Sequence, residues 1–142
     1  TLLDATQKKL AAIDRMTAEL GLTNATTLWG RAETLAHQPA HRERYDAAVV
    51  RAVGDLRVCL EYATGFLRPD GHGWFYRSRR SAEEDAAPAE RAASRCRLTQ
   101  LDTRLYALPE PHGERALMVY RKDRSLPASL PRAVGRPRSE PL

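Results

Sequence analysis

The chain has 142 residues, a length that fits about one domain and is sufficient to bury a single core. Its 23 Lys and Arg residues exceed its 18 Asp and Glu residues, giving a formal net charge of +5, and 42% of its residues are hydrophobic. This composition excludes collagen-like and fully disordered proteins. The two cysteines exclude a disulfide framework, and no apolar run approaches the roughly 20 residues of a membrane span.

Apolar residues recur at three- and four-residue spacing through the first half of the chain, which predicts three amphipathic helices. The first covers residues 4–20 and is capped by Thr6. The second begins at Asn24 and ends before Pro39. The third covers residues 41–67, and its apolar stripe consists of Tyr45, Val49, Ala52, Val53, Leu56, Leu60, Ala63 and Leu67.

The second half of the chain favours strands. Aromatic and β-branched residues predict strands over residues 73–78, 96–101, 103–108 and 114–121, and residues 109–113 form the hairpin loop between the last two. The residues expected to face the helices are Leu98, Leu105, Leu108, Leu117 and Val119.

These elements predict an α+β fold with an N-terminal three-helix layer, a small C-terminal antiparallel sheet and a disordered basic tail. We expect a single domain over residues 1–121, in which residues 1–68 are helical and residues 73–121 are rich in strands. Residues 79–94, rich in Ala and Glu, form either a short helix or a mobile loop. Residues 122–142 are expected to be disordered because prolines interrupt them repeatedly.

Most of the excess positive charge lies near the C-terminus. Residues 1–67 are neutral, residues 68–120 carry a net charge of +1, and residues 121–142 carry +4. Basic tails act through phosphates or acidic surfaces. We therefore expect Arg136 and Arg138 to bind nucleic acid phosphates.

Residues 17–28 resemble the turn region of a helix-turn-helix DNA-binding motif, through the run LGLTNAT at residues 20–26. In that family a glycine makes the turn and the second helix enters the major groove. The resemblance implies DNA binding and transcription regulation, with Asn24 and Arg31 as contacts. The alternative is an ordinary helical hairpin with a good cap.

Three aromatic residues lead directly into an arginine cluster in the run WFYRSRR at residues 74–80. Aromatic faces stack on unpaired bases, and guanidinium groups bind phosphates. The candidate nucleic-acid contacts in this run are Trp74, Tyr76, Arg77, Arg79 and Arg80. The alternative is that one face of this strand belongs to the core.

The histidines offer one further candidate. Arg31 followed by His37 resembles the Arg-x(4–6)-His pattern of HEPN-type ribonucleases, which implies action on a scissile phosphate. No metal site is expected, because Pro39 separates His37 from His41 and the two cannot share a helix face. No glycine-rich phosphate loop or nucleophile motif is present in the sequence, so no cofactor and no catalytic residue is predicted.

The leading hypothesis is a small, non-enzymatic, cytoplasmic protein that binds DNA or RNA or regulates transcription. It would dimerise through the third helix and would not associate with membranes. One alternative is an assembly subunit or adaptor that binds protein partners. A further alternative is a HEPN-like ribonuclease.

Overall fold

The computed structural model of the protein describes residues 1–51 and 53–142. Helices and strands alternate along most of this length, which is typical of an α/β arrangement. In chain order the elements are β1 (Leu2–Asp4), α1 (Gln7–Glu19), β2 (Thr27–Trp29), α2 (Ala32–Leu35), β3 (Tyr45–Arg51), α3 (Leu56–Thr64), β4 (Leu67–Ser78), α4 (Arg79–Arg95), β5 (Leu98–Ala107), β6 (Glu114–Lys122) and α5 (Arg136–Ser139). The predicted α+β fold, with a helical layer followed by a small sheet, is therefore wrong. Among the described residues, no helix is long and apolar enough to cross a membrane.

The first three elements form a parallel strand–helix–strand unit. Strands β1 and β2 pair in parallel, and α1 packs on both. The first predicted helix, residues 4–20, is confirmed as α1, but it begins later because Asp4 belongs to β1. The predicted cap is replaced by a different contact. The Thr6 hydroxyl makes no capping hydrogen bond, whereas the Thr6 backbone N–H donates to the Asp4 carboxylate at 2.7 Å.

The second predicted helix, from Asn24 to Pro39, is wrong. Its β-branched and aromatic residues form β2, and only the single turn of α2 is helical. Gly30, with a φ of 150°, separates the strand from that turn. The helix-turn-helix prediction is wrong for the same reason, because a strand stands where the recognition helix would be.

The third predicted helix, residues 41–67, is also wrong, because it merges β3, a turn, α3 and the start of β4. Gly54 turns the chain with a φ of 140°, and the Asp55 carboxylate caps α3 by accepting a hydrogen bond from the Arg57 N–H at 2.8 Å. Ala52 of the predicted stripe lies outside the described residues. Seven of the nine residues of α3 are buried within this chain, so the predicted dimer through this helix is not supported.

The larger sheet has the strand order β3-β4-β6-β5. Strands β3 and β4 pair in parallel, whereas β6 runs antiparallel to both of its neighbours. The two strands predicted at residues 96–101 and 103–108 are one strand, β5, with an irregularity between Gln100 and Asp102. The sheet is therefore mixed, and its parallel part combines with helical crossovers in the way that α/β folds require.

One face of this sheet is covered by α3 and α4 and forms the core. Phe75 and Tyr120 on neighbouring strands meet edge to face there, with ring centroids 5.5 Å apart. Met118 also faces the helices and is fully buried. Leu117 and Val119 were expected on this face, but strand alternation places them on the opposite one.

Helix α4 settles the choice between helix and loop for residues 79–94. The Ser78 hydroxyl caps it by accepting a hydrogen bond from a backbone N–H of its first turn.

Strand β5, at the edge of the sheet, is exposed along almost all of its length. Leu98 is buried as predicted, whereas Leu105 and Leu108 are 55% and 40% exposed.

Residues 122–142 were expected to form a disordered tail, but they pack onto the rest of the chain. Leu126 and Leu130 join the main hydrophobic core. Arg132 forms an ion pair with the fully buried Glu61, with 2.7 Å between Nη2 and Oε2. The segment is ordered despite its prolines, because partners far away in the sequence hold it in place.

Candidate functional site

The carboxyl ends of β1 and β2 place an acidic residue beside a tryptophan. Asp4 is the last residue of β1, and its partner across the parallel pair is Trp29, the last residue of β2. Open α/β sheets bind ligands in the crevice outside the carboxyl ends of their strands. This edge is therefore the candidate functional site.

The Asp4 carboxylate is ionised and accessible. Its Oδ1 accepts a hydrogen bond from the Thr6 N–H at 2.7 Å, and its Oδ2 lies 3.5 Å from Lys9 Nζ. The Thr6 hydrogen bond is the main cause that lowers the pKa of Asp4, and Lys9 lowers it further. The side chain is 31% exposed, so an incoming hydroxyl group can reach it.

Backbone contacts hold the two strand ends together. The indole Nε1 of Trp29 donates to the Ala5 carbonyl oxygen at 3.2 Å. The Gly30 N–H donates to the Asp4 carbonyl oxygen, also at 3.2 Å. Arg31 follows directly and is exposed at the start of α2.

A buried glutamate fixes the segment that follows β2. Glu33 is 3% exposed, and its Oε1 accepts hydrogen bonds from the Tyr62 hydroxyl at 3.2 Å and from the Gly135 N–H at 3.1 Å. Burial raises the pKa of Tyr62, and the neighbouring Glu33 charge raises it further, so the phenol keeps its proton. Helix α2 is thereby tied to α3 and to the C-terminal segment.

The loop that follows β3 is held by two arginines. Arg77, at the end of β4, donates to the Gly54 carbonyl oxygen and pairs with Asp85 on α4. Arg138 Nη2 donates to the Val53 carbonyl oxygen at 3.3 Å. Since the C-terminal segment contacts the loops after both β2 and β3, it links the carboxyl ends of these strands in one network.

The chemistry available at this edge is hydrogen bonding to a polar ligand. A carboxylate at the end of a strand of an α/β sheet accepts hydrogen bonds from ribose hydroxyls, which suits the exposed side of Asp4. The two cysteines do not supply a nucleophile, because burial raises the pKa of Cys59 to about 11 and that of Cys96 to about 12. The site is thus suited to positioning a nucleoside-containing ligand.

Three of the predicted nucleic-acid contacts adjoin this edge. Arg31 is exposed and points its charge outward from the start of α2. Arg77 and Arg138 instead hold the loop after β3, and the Arg77 side chain is only 14% exposed. Arg31 is therefore the one of these three that is free to meet a ligand.

The other six predicted contacts lie on β4, α4, α5 and the turn before β2. Trp74 and Tyr76 occupy the sheet face opposite the helices. Asn24 is exposed in the turn. The three arginines form ion pairs with glutamates four residues further along the chain: Arg79 with Glu83, Arg80 with Glu84, and Arg136 with Glu140. These six residues lie on four different parts of the chain, and as nucleic-acid contacts they stay predictions.

The sequence predictions missed Asp4 and Trp29 as site residues. Helical spacing assigns Asp4 to the start of a helix and Trp29 to a position off the apolar stripe. The available signal was the short apolar run that ends at Asp4 and precedes a helix, which is typical of a strand-to-helix turn.

A cleft lies between α4 and β5, away from the Asp4 edge. It is an open cleft of about 520 Å³ whose lining includes Arg97, Gln100 and Arg124. It opens at the start of an antiparallel edge strand and not at the carboxyl ends of parallel strands. The strand-end geometry around Asp4 therefore remains the better candidate.

Comparison with known proteins identifies a family. The family model described as "GidB: rRNA small subunit methyltransferase G" matches residues 1–111. A protein of Trichormus variabilis named ribosomal RNA small subunit methyltransferase G is 40% identical over 142 residues, covering 100% of this chain. One of the same name from Deinococcus deserti is 43% identical over 145 residues, again covering 100% of the chain. The chain spans 58% of the length of each of these relatives.

Solved structures share the fold at low sequence identity. An rRNA methylase from Streptococcus thermophilus matches with a TM-score of 0.57 and 18% identity, over 86% of this chain and 72% of that one. Methanococcus jannaschii TYW2 in complex with AdoMet matches with a TM-score of 0.60 and 10% identity, over 84% and 54% of the two chains. The fold is thus the Rossmann-like methyltransferase fold, here with six strands and five helices in the described residues.

These findings overturn the functional hypotheses drawn from sequence. The DNA-binding regulator, the adaptor and the HEPN-like ribonuclease are all wrong, because the matching family is one of methyltransferases. The Arg31–His37 pattern has a structural explanation, since the His37 ring Nε2 lies within hydrogen-bonding distance of the Pro131 carbonyl oxygen, at 2.8 Å. With a family model matching residues 1–111 and relatives similar along its whole length, the chain belongs to the rRNA small subunit methyltransferase G family.

Proposed function

We propose that this chain forms part of a methyltransferase that uses S-adenosylmethionine to modify the RNA of the small ribosomal subunit. The observation that carries the proposal is the ionised Asp4 carboxylate at the carboxyl end of β1, in a chain of this family. The names of the relatives support the RNA substrate. The bound AdoMet of one structural neighbour supports the cofactor.

The residues present fit the nucleoside part of that cofactor. Asp4 is ionised, is 31% exposed and ends a parallel strand, so it can accept hydrogen bonds from the two ribose hydroxyls. When bound, S-adenosylmethionine supplies a methyl group on a positively charged sulfur. The protein's task is then to hold the donor and the acceptor in line.

The described network prepares the site for that task. Glu33 accepts a hydrogen bond from Gly135 and Arg138 donates one to Val53, so the C-terminal segment holds the chain after β2 and after β3. Positioning groups of this kind lower a barrier by fixing the geometry of the reactants before reaction.

An RNA substrate is consistent with the expected nucleic-acid partner. Arg31 after β2 and Arg51 at the end of β3 are both exposed. Guanidinium groups bind phosphates, and we propose that these two contact the RNA backbone near the site. The remaining sequence-predicted contacts, including Trp74 and Tyr76, stay predictions.

Calorimetric titration of the chain with S-adenosylmethionine tests the proposal. Asp4→Asn should weaken binding about 10-fold to 100-fold, because hydrogen bonds to a charged acceptor are lost. Asp14→Asn is the matched control, since Asp14 is an exposed carboxylate on α1, and it should bind like the unmodified chain.

A second experiment supplies methyl-tritiated cofactor and small ribosomal subunits. Label should enter the small-subunit RNA with the unmodified chain and with Asp14→Asn, and fall with Asp4→Asn. Cofactor binding that Asp4→Asn leaves unchanged would refute the proposal.

A further inference from the structure

Strand β5 has one edge without a partner strand. It is the last strand in the order β3-β4-β6-β5, so its outer edge is unpaired among the residues that the structure describes. Every residue of the strand after Leu98 is exposed. A long edge strand of this kind presents a row of free backbone N–H and C=O groups, on which a further strand can pair.

The features that usually protect such an edge are weak in β5. Proteins protect edge strands with prolines, charged side chains or a covering element. Strand β5 contains no proline, and its two charged residues, Asp102 and Arg104, have opposite signs. Its helix-facing residues Thr103 and Leu105 line an open groove of about 250 Å³ beside α4. Helix α4 therefore leaves this part of the strand uncovered.

The residues of β5 are arranged symmetrically about Thr103. Asp102 and Arg104 flank it, and a leucine follows on each side, Leu101 and Leu105, which are 50% and 55% exposed. If two copies of the strand pair antiparallel about a two-fold axis at Thr103, residues at equal distances before and after it lie opposite each other. Asp102 then faces Arg104 of the second copy, and Leu101 faces Leu105 of the second copy.

This register is the one that pairs both charges. An axis at Asp102 or at Arg104 would place two like charges directly opposite each other, which is destabilising, whereas an axis between two residues would leave both charges opposite uncharged residues. Within one chain, Arg104 Nε lies 2.8 Å from Asp102 Oδ2, so the two side chains already share one face of the sheet. Pairing of two copies would therefore bring four alternating charges together on that face.

We propose that β5 pairs antiparallel with β5 of a second copy of this chain, so that the two larger sheets become one continuous sheet. The interface lies at the end of the sheet opposite β3 and does not involve α3. It is independent of the proposed function. Because a strand-edge interface is small, we expect a dissociation constant on the order of 10 μM.

Sedimentation velocity of the full chain tests the pairing. Between about 1 μM and about 100 μM the unmodified chain should change from monomer to dimer. Asp102→Arg and Arg104→Asp each place like charges opposite each other twice, so each should weaken the dimer at least about 10-fold. Circular dichroism should show that both variants melt like the unmodified chain, because each loses only an exposed ion pair.

Mixing the two variants separates contacts between chains from contacts within one chain. In an equimolar mixture of Asp102→Arg and Arg104→Asp every introduced charge meets an opposite charge on the other chain, so the dimer should return. Mixing cannot restore an ion pair inside either chain. A chain that carries both substitutions should also dimerise. Arg68→Asp is the matched control, since it reverses one charge of another exposed ion pair, with Asp46 near the far edge of the sheet, and should leave the dimer unchanged.

Three results would overturn the inference: a chain that remains monomeric at about 100 μM, a dimer that both single variants retain, and a mixture of the two variants that stays monomeric while the unmodified chain dimerises. The second result would place the dimer contact on another surface, and the third would exclude this register. Calorimetry with S-adenosylmethionine is read separately. Loss of cofactor binding together with a dimer restored by mixing would contradict the proposed function and leave this inference standing.

Discussion

Gly30 meets two requirements at the end of β2 that no other residue type would meet. Its φ of 150° lies in a region that side chains with a Cβ rarely adopt. A Cβ built there would also lie 2.9 Å from Leu35 Cδ1. Because Gly30 stands between Trp29 and Arg31, its conformation decides how both side chains leave the strand.

Gly30→Ala should therefore destabilise the chain by about 3 kcal/mol, combining backbone strain with a steric clash. Gly21→Ala is the matched control. Gly21 also has a positive φ, of 64°, but nothing lies within 4 Å of its missing Cβ, so its replacement should cost about 1 kcal/mol. Urea unfolding measures both, and equal losses would show that the contact with Leu35 carries no weight.

At this scale the sequence predicted little of the candidate site. Arg31 was named as a contact of the helix-turn-helix resemblance, and as a site residue it stays a prediction. Asp4 and Trp29 were not named, because strand pairing brings them together across 24 residues of intervening chain. The sequence does place Gly30 inside the second predicted helix, where a glycine is unfavourable. The structure shows that it marks the end of a strand.

Among the secondary-structure elements, a buried ion pair joins β6 to the chain before β3. Lys122 is fully buried, and its Nζ donates to Glu43 Oε1 at 2.5 Å and to the carbonyl oxygens of Thr64 and Leu67. Burial alone would raise the pKa of Glu43, but the hydrogen bonds from Lys122 and from the Leu126 N–H lower it on balance. Glu43 is therefore ionised in the folded state. Burial lowers the pKa of Lys122, and the hydrogen bond to Glu43 offsets part of that effect, so the charge on the buried ammonium depends on its partner.

Glu43→Gln should destabilise the chain at pH 7 by about 2 kcal/mol. This is less than the ~3–5 kcal/mol for breaking a fully buried pair, because the Glu43 side chain is 20% exposed. Glu43→Gln combined with Lys122→Met should recover much of the loss, since the unpaired buried charge is removed. Urea unfolding of the three proteins measures the effect, and a double variant no better than the single one would contradict it.

The same carboxylate predicts the direction of the acid response. The folded-state pKa of Glu43 is lowered, so its contribution to stability is fully present above the unfolded value of about 4.3 and is lost as the pH falls through the folded value. Between pH 7 and pH 3 the unmodified chain should therefore lose more stability than Glu43→Gln. Parallel acid dependences would show that this carboxylate is not the titrating group.

The elements that sequence periodicity assigned wrongly share one cause. Residues 41–67 carry apolar side chains at helical spacing, yet β3 and α3 each use a part of that pattern and Gly54 with Asp55 divides them. A strand buried on one face and a following helix can together imitate a long amphipathic helix. The first helix was predictable because α1 is amphipathic and no strand interrupts its pattern.

For the whole molecule, the C-terminal segment is a structural part of the candidate site. Composition suggests a basic tail, but Arg132 pairs with Glu61, 71 residues earlier, and Arg138 holds the loop after β3. The carboxylate and carbonyl partners lie far away in sequence, so charge and proline content could not reveal the contact. Part of the net charge of +4 over residues 121–142 therefore neutralises a buried acid, because Arg132 is the counter-ion of Glu61.

Removal of residues 125–142 should abolish cooperative thermal unfolding, because Glu61 would lose its counter-ion and the leucine contacts of the core would be lost. The point variant Arg132→Met should cost about 3 kcal/mol. Arg136→Ala is the control, since Arg136 forms only an exposed ion pair, and it should change stability by less than about 0.5 kcal/mol. A shortened chain that melts like the full one would contradict this.

The contacts of Glu33 and Glu61 with the C-terminal segment set the order in which the protein can be completed. During synthesis Glu33 leaves the ribosome 102 residues ahead of Gly135. Glu61 leaves it 71 residues ahead of Arg132. Domains fold as the chain emerges, N-terminal part first. A nascent chain that has reached residue 124 therefore contains Asp4 and Trp29 but lacks the supports of the loops around them. Ligand binding at this edge should therefore appear only after residues 125–142 have emerged, which measurements on stalled nascent chains of increasing length can check.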